Sequence, residues 1–247
     1  MIARRAVKEP SPERAAVHKD QYLLWGARDL LPGAFAARLR GQGLSAIAAL
    51  GRFDLKLTLT ESSPPALSVI PLRRRPIALL SLTGAALPDP GAVHDALALH
   101  GDEVAGYRVV ESVPRAYERD WPDGQRTPGV GLLTLFRRRR GLSDEDFIAR
   151  WHGGHTPLTF RIHPVWNYVR NVVESSHFDG SPPFDGIVEE HFRTRRELLR
   201  PPVFFGGPHL MVPNMVRVGL DIRRFIDLQT MEVYLVVEEH VRSASGL

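Results

Sequence analysis

The sequence predicts an α+β fold built from two ferredoxin-like βαββαβ units in tandem, and three observations carry that prediction. Residues 53–60, FDLKLTLT, alternate apolar and polar side chains with the period of a half-buried strand. Helix-start signals fall between such strands: Pro32 at a first-turn position, and Ser143 three residues ahead of Asp146. The order strand, helix, strand, strand, helix, strand then occurs twice, on either side of a charged, Pro- and Gly-rich stretch at residues 117–129, YERDWPDGQRTPG.

In the first unit the expected elements are a strand at 22–25, a helix at 32–40 and strands at 53–60 and 77–83. A helix at 90–100 and a strand at 103–113 complete it. In the second, a strand at 130–136 precedes a helix at 144–155, strands at 166–173 and 185–190, a helix at 193–200 and a strand at 231–238. The expected divisions are a mobile arm at 1–18, a first repeat at 19–116, the linker at 117–129, a second repeat at 130–241 and a tail at 242–247.

Composition limits the function classes. The chain has 247 residues, no cysteine and a net charge of +4, so disulfides and thiolate catalysis are excluded. Lysine occurs only at Lys8, Lys19 and Lys56, and the arginine runs 73–75 and 137–140 border apolar segments as solvated strand ends do. No aromatic interleaving accompanies them, so nucleic acid is not an expected partner; an anion site at 137–140 stays open. No apolar run reaches the roughly 20 residues of a membrane span, so no membrane partner is expected. The first 20 residues lack an apolar core, so a secretory signal is not expected and the cytoplasm is the expected location.

The most informative stretch is residues 141–171. Ile148, Trp151, His152 and His155 are spaced to share one helical face, with Phe147 and Trp151 an i, i+4 aromatic pair beside it. Gly153 and Gly154 weaken the helix, and Pro157 favours extended backbone at Thr156, so His155 is expected at a helix break. Phe147, Trp151, His155, Pro157 and Leu158 spell F-x-x-x-W-x-x-x-H-x-P-L, followed by Tyr168, Val169 and Asn171 as Y-V-x-N. This ordered set resembles the EthD domain, and the likeness runs on through 184–192 and 225–240. The resemblance implies a fold of the dimeric α+β barrel superfamily, with the two units closing as an internal pseudo-dimer. It also implies a cofactor-independent enzyme, of decarboxylase, cyclase or isomerase type, acting on a small apolar carbonyl or aromatic compound. The alternative is a non-catalytic binding or accessory protein using the same barrel cavity. The first unit lacks the Trp and His-x-Pro elements, so one functional cavity is expected, in the second unit.

The candidate catalytic residues are His155, as acid or base near neutral pH, Tyr168, as hydrogen-bond donor to an oxyanion, and His152, orienting its neighbour. Trp151 and Phe160 are candidate apolar walls, and Asn171 and Asp185 candidate polar contacts. Glu189 shares a strand face with Asp185 while Glu190 lies on the other, and the sequence leaves open which face meets the cavity. Residues 201–216, PPVFFGGPHLMVPNMV, read as a long apolar loop in which Phe204 and Phe205 cover either a cavity or a contact with a second copy, which would make a homodimer. His152 and His155 could share a metal with His163, His177 or His191, or His155 could ligate haem. No metal motif or phosphate loop supports such a site, so no metal or cofactor is expected.

Overall fold

The computed structural model describes residues 17–244. The arm expected at 1–18 lies largely, and the tail at 242–247 half, outside the described residues; His18 opens the first strand and Arg242 ends the last. The first half runs β1 (His18–Trp25), α1 (Pro32–Arg38), a π turn (Leu39–Gly43), α2 (Leu44–Ala48), β2 (Asp54–Leu59), β3 (Ile77–Gly84), α3 (Pro90–Ala98) and β4 (Glu103–Arg115). The second half starts with β5 (Val130–Arg138), α4 (Asp144–Ile148), a π turn (Ala149–His155), α5 (Thr156–Ile162), β6 (Asn167–Ser176) and β7 (Gly186–Phe192). It ends with α6 (Arg195–Leu199), α7 (Pro201–Phe204), α8 (Met211–Ile222) and β8 (Ile226–Arg242).

All eight strands pair antiparallel in one closed barrel, in the order β1-β3-β2-β8-β5-β7-β6-β4. Each half contributes the same neighbour pattern, β4-β1-β3-β2 and β8-β5-β7-β6, and the seams are β2 with β8 and β4 with β6. Closure leaves no strand edge unpaired among the described residues.

Side chains alternate between the inside and the outside of the barrel. Toward one end the inside is filled by Leu23, Trp25, Ile77, Leu79, Leu133 and Tyr234. Toward the other it is ionic. The Lys56 ammonium lies 2.8 Å from Glu189 and 3.3 Å from Glu238, and Lys19 pairs with Glu111 and donates to Asn171 at 2.9 Å. A barrel of this size has just enough room for its own side chains. The cavity expected inside it is therefore confined to the ionic end, a mouth of about 220 Å³ among Lys19, Lys56, Glu111, Tyr117, Asn167 and His240, while the other end is packed. Outside, Tyr22, Leu24 and Phe53 pack with Phe35 of α1 in the first half. Phe136 and Phe225 pack with Phe147 and Trp151 of the helical segment in the second.

Two local expectations are corrected. Thr156 is helical (φ −59°, ψ −47°), so the chain passes from α4 to α5 without the expected break at His155. A proline ring clashes with the carbonyl four residues back in a regular helix. The widened π turn moves that carbonyl away, and Thr156 N–H bonds Trp151 O five residues back. Residues 201–216 form no loop either: α7 and the start of α8 occupy them, joined by a turn with Gly206 at φ 82° and Gly207 at φ 131°. Pro213 falls in the first turn of α8, where a backbone N–H has no intrahelical acceptor to lose.

Candidate functional site

A cavity of about 230 Å³ lies outside the barrel, between the second half's strands and its helices. The outward side chains of β5, β6, β7 and β8 form its floor, among them Leu132, Phe136, Val188 and Val233. Trp151, His155, Thr159 and His163 come from the helix with the π turn, Phe204 and Phe205 from the α7 region, and Met215, Val218 and Ile222 from α8. Val69, Ile70 and Pro71 of the first half close one side.

The walls are largely aromatic. Phe136 meets Trp151 edge to face at 5.1 Å, Trp151 stacks on Phe225 at 6.5 Å, and Phe204 meets Phe205 edge to face at 4.9 Å. Gly186 allows this arrangement: a Cβ there would stand 2.5 Å from the Phe136 ring.

Strand register places two polar groups side by side on the floor. Tyr168 of β6 faces Glu190 of β7 in an antiparallel pair, so both side chains leave the sheet on the cavity side as close neighbours. Burial alone raises the Glu190 carboxyl to about 7, and among the described residues no ion pair offsets it. Burial first, and then the neighbouring Glu190 charge, push the Tyr168 hydroxyl up. Tyr168 is thus a protonated donor at any physiological pH, whereas Glu190 can hold or release a proton near neutrality.

The imidazoles are held by specific partners. His155 Nδ1 donates to Asp221 of α8 at 2.9 Å, and the Thr159 hydroxyl donates to Nε2 at 3.2 Å. Both ring nitrogens are therefore engaged. His163 Nδ1 donates to Phe204 O at 2.8 Å, its ring stacked on Phe204 at 4.0 Å, and burial lowers its pKa to about 4. That donated proton fixes His163 as the neutral tautomer with an unprotonated Nε2.

The residues singled out in the sequence divide between two sides of the sheet. His155, Tyr168, Trp151, Phe204 and Phe205 line the cavity together. His152 does not; its ring lies against Trp151 at 4.9 Å, and burial lowers its pKa to about 4. Phe160 stands behind the site, edge on to Tyr168 at 5.4 Å. Asn171 points into the barrel, bonded to Lys19, Glu189 and the Ile187 carbonyl, because it lies an odd number of residues from Tyr168 along the strand. Asp185 precedes β7 and accepts from Arg138 N at 2.9 Å, away from the cavity. Asp221 and Thr159 are not among the sequence candidates, Glu190 enters there only as the opposite strand face to Glu189, and His163 only as a third metal ligand. Cross-strand register and the fold-back of α8 bring them in, and neither is written in local sequence.

The sequence matches no protein-family model, the EthD domain included, and no curated protein sequence. Solved structures do resemble it. An anthrone oxidase-like protein is 10% identical, with a TM-score of 0.56 over 94% of this chain and 95% of that one. A candidate monooxygenase of Lactobacillus acidophilus NCFM is 9% identical, with a TM-score of 0.47 over 90% and 93%. Another, from Fusobacterium nucleatum subsp. nucleatum ATCC 25586, is 7% identical, with a TM-score of 0.49 over 92% and 94%. At these identities the likeness to the anthrone oxidase-like protein is one of fold, an eight-stranded antiparallel barrel with helices outside.

Proposed function

We propose that the chain is an acid–base enzyme, of cyclase or isomerase type, acting on a small apolar carbonyl or aromatic compound bound between the second half's strands and helices. On this reading the two halves are tandem, diverged ferredoxin-like units of EthD type, and only the second keeps a site. The observation that carries it is Glu190: a half-buried carboxyl raised to about 7 in an apolar cavity, with a protonated tyrosine directly across from it. Ionised Glu190 removes a proton from carbon next to the substrate carbonyl, and Tyr168 donates a hydrogen bond to the oxygen as it becomes an enolate. Protonated Glu190 then returns the proton at the same or a neighbouring carbon. Aromatic walls hold the substrate and keep water from the enolate. His155, with Asp221 at its back, orients the helix wall and Thr159, a positioning role in place of the base role that sequence suggested.

Proton removal also leaves an electron-rich enolate or phenolate, the species that an oxidation by dioxygen would consume. That is a second reading, favoured by the fold shared with an anthrone oxidase-like protein. Both start at Glu190, and oxygen uptake during turnover separates them.

Hydrogen–deuterium exchange tests the common step without knowledge of the natural substrate. In D2O the chain is expected to speed exchange at the carbon next to the carbonyl of 1- or 2-tetralone above the buffer rate. Glu190→Gln is expected to lower that rate by about 10²–10⁴-fold, and Tyr168→Phe by less. Exchange at the buffer rate, or an undiminished rate in Glu190→Gln, would overturn the proposal.

A further inference from the structure

The rim of the cavity carries apolar side chains that none of the described residues covers. The β2–β3 connection brings Val69, Ile70 and Pro71 over from the first half, fastened where Arg73 N–H donates to Val233 O at 2.8 Å. Just ahead of them Leu67 is 92% exposed. Across the cavity, α8 turns Met215, Val218 and Ile222 inward. One of its flanks is held, by Asp221 on His155 and by Asn214, which donates to Phe205 O at 2.9 Å. At 3.6 residues per turn, Val212, Val216 and Leu220 make a stripe roughly a quarter turn from the cavity face, on the flank opposite those bonds. They are 54%, 55% and 59% exposed. A helix that is apolar on its cavity side and again on its solvent side needs a second apolar medium.

The charges around the stripe identify that medium. Arg217, Arg223 and Arg224 are exposed on and just after α8, and Arg73 and Arg74 are exposed on the β2–β3 connection. Of the carboxylates nearby, Asp221 lies 2.9 Å from His155 and, at its other oxygen, only 3.9 Å from the exposed Arg224, and Glu61 is paired with Arg40 and Arg126. A two-fold contact with a second copy would set arginines against arginines. An anionic lipid surface satisfies the stripe and the cations together.

We propose that this arginine-flanked rim docks on anionic lipid bilayers and that the cavity takes its apolar substrate from the membrane. The absence of a membrane span in the sequence does not bear on docking of this kind, because no segment crosses. The route of the substrate rests on the function proposed above; the docking does not, and it is read without a substrate.

The test is co-sedimentation of the full chain with extruded vesicles of phosphatidylcholine, with and without phosphatidylglycerol. Partitioning is expected to be at least about tenfold stronger onto the anionic vesicles and to fall as salt rises. Each cation near such a surface favours binding by roughly fivefold, so Arg223→Ser with Arg224→Ser is expected to weaken it by about twenty-five-fold. Val216→Asp with Leu220→Asp is expected to abolish it, with an unchanged circular dichroism spectrum. No binding, equal binding to both vesicle types, or binding indifferent to these substitutions overturns the proposal. So does a dimer that Val216→Asp dissociates in a chain that ignores lipid, which would assign the stripe to a second copy. Tetralone exchange is measured without vesicles, so failure of either experiment is told apart from failure of the other.

Discussion

Glu189 and Glu190 are adjacent on β7, and the two sides of one sheet give them opposite chemistry. Glu189 points into the barrel. Burial alone would raise it, but Lys56 and Lys19 outweigh burial and hold it below the ordinary carboxylate range. It also accepts from Gln21 at 3.1 Å, Thr58 at 3.2 Å and Asn171 at 3.2 Å. Glu190 points outward into the cavity, where burial acts without an ion pair and raises it to about 7. Desolvation is common to both, so what separates them is the supply of partners. A fully partnered buried carboxylate fastens structure, and an unpartnered one in a cavity is available for proton transfer.

Removing the partners inside the barrel is the harshest way to break this contrast. Lys56→Met leaves Glu189 and Glu238 buried beside each other without their shared cation, and is expected to destabilise the fold by about 3–5 kcal/mol. Urea unfolding at pH 7 measures it, and a loss below 1 kcal/mol would mean that the interior ions are hydrated rather than paired.

The complementary substitution lies on the other face and works in the opposite direction. A carboxyl whose folded pKa is raised contributes fully below its ordinary value of 4.5, and the contribution disappears as pH rises through about 7. Above that, the wild-type chain holds an unpaired carboxylate in the cavity. Glu190→Gln is therefore expected to raise stability by on the order of 3 kcal/mol at pH 8 and by almost nothing at pH 4. Equal effects at the two pH values would contradict a raised pKa.

The contrast was only half legible in the sequence. Alternation in FDLKLTLT identifies β2, and the Ser143 cap is present, its hydroxyl accepting from Asp146 N at 3.1 Å. Phe147 and Trp151 do pack together, their ring centres 5.3 Å apart. In β7, however, IVEEHF carries polar residues on both faces, so no periodicity says which glutamate meets the cavity. Pairing decides that, by setting Glu190 against Tyr168 and Leu132. Helix α8 was hidden because its first turn and Pro213 fall within residues 201–216, read as one long loop, although a proline is accommodated in a first turn. With α8 unread, Asp221 had no route to His155.

A smaller effect probes how α8 closes the site. Asp221→Asn keeps the shape but removes the charge that His155 Nδ1 meets, and is expected to cost about 1 kcal/mol of global stability. Its clearer sign would be faster amide exchange across Met211–Ile222, with β6 and β7 unchanged. Protection lost evenly through the chain would show that this pair does not act on α8 in particular.

The contrast is tested most directly by carbon-13 NMR titration of the glutamate side-chain carboxyls, assigned with Glu189→Gln and Glu190→Gln. Glu190 is expected to titrate near pH 7 and Glu189 below its ordinary value of 4.5. A Glu190 midpoint near 4.5 would contradict the account, because the carboxyl would then be hydrated and without the proton affinity on which the proposed chemistry depends.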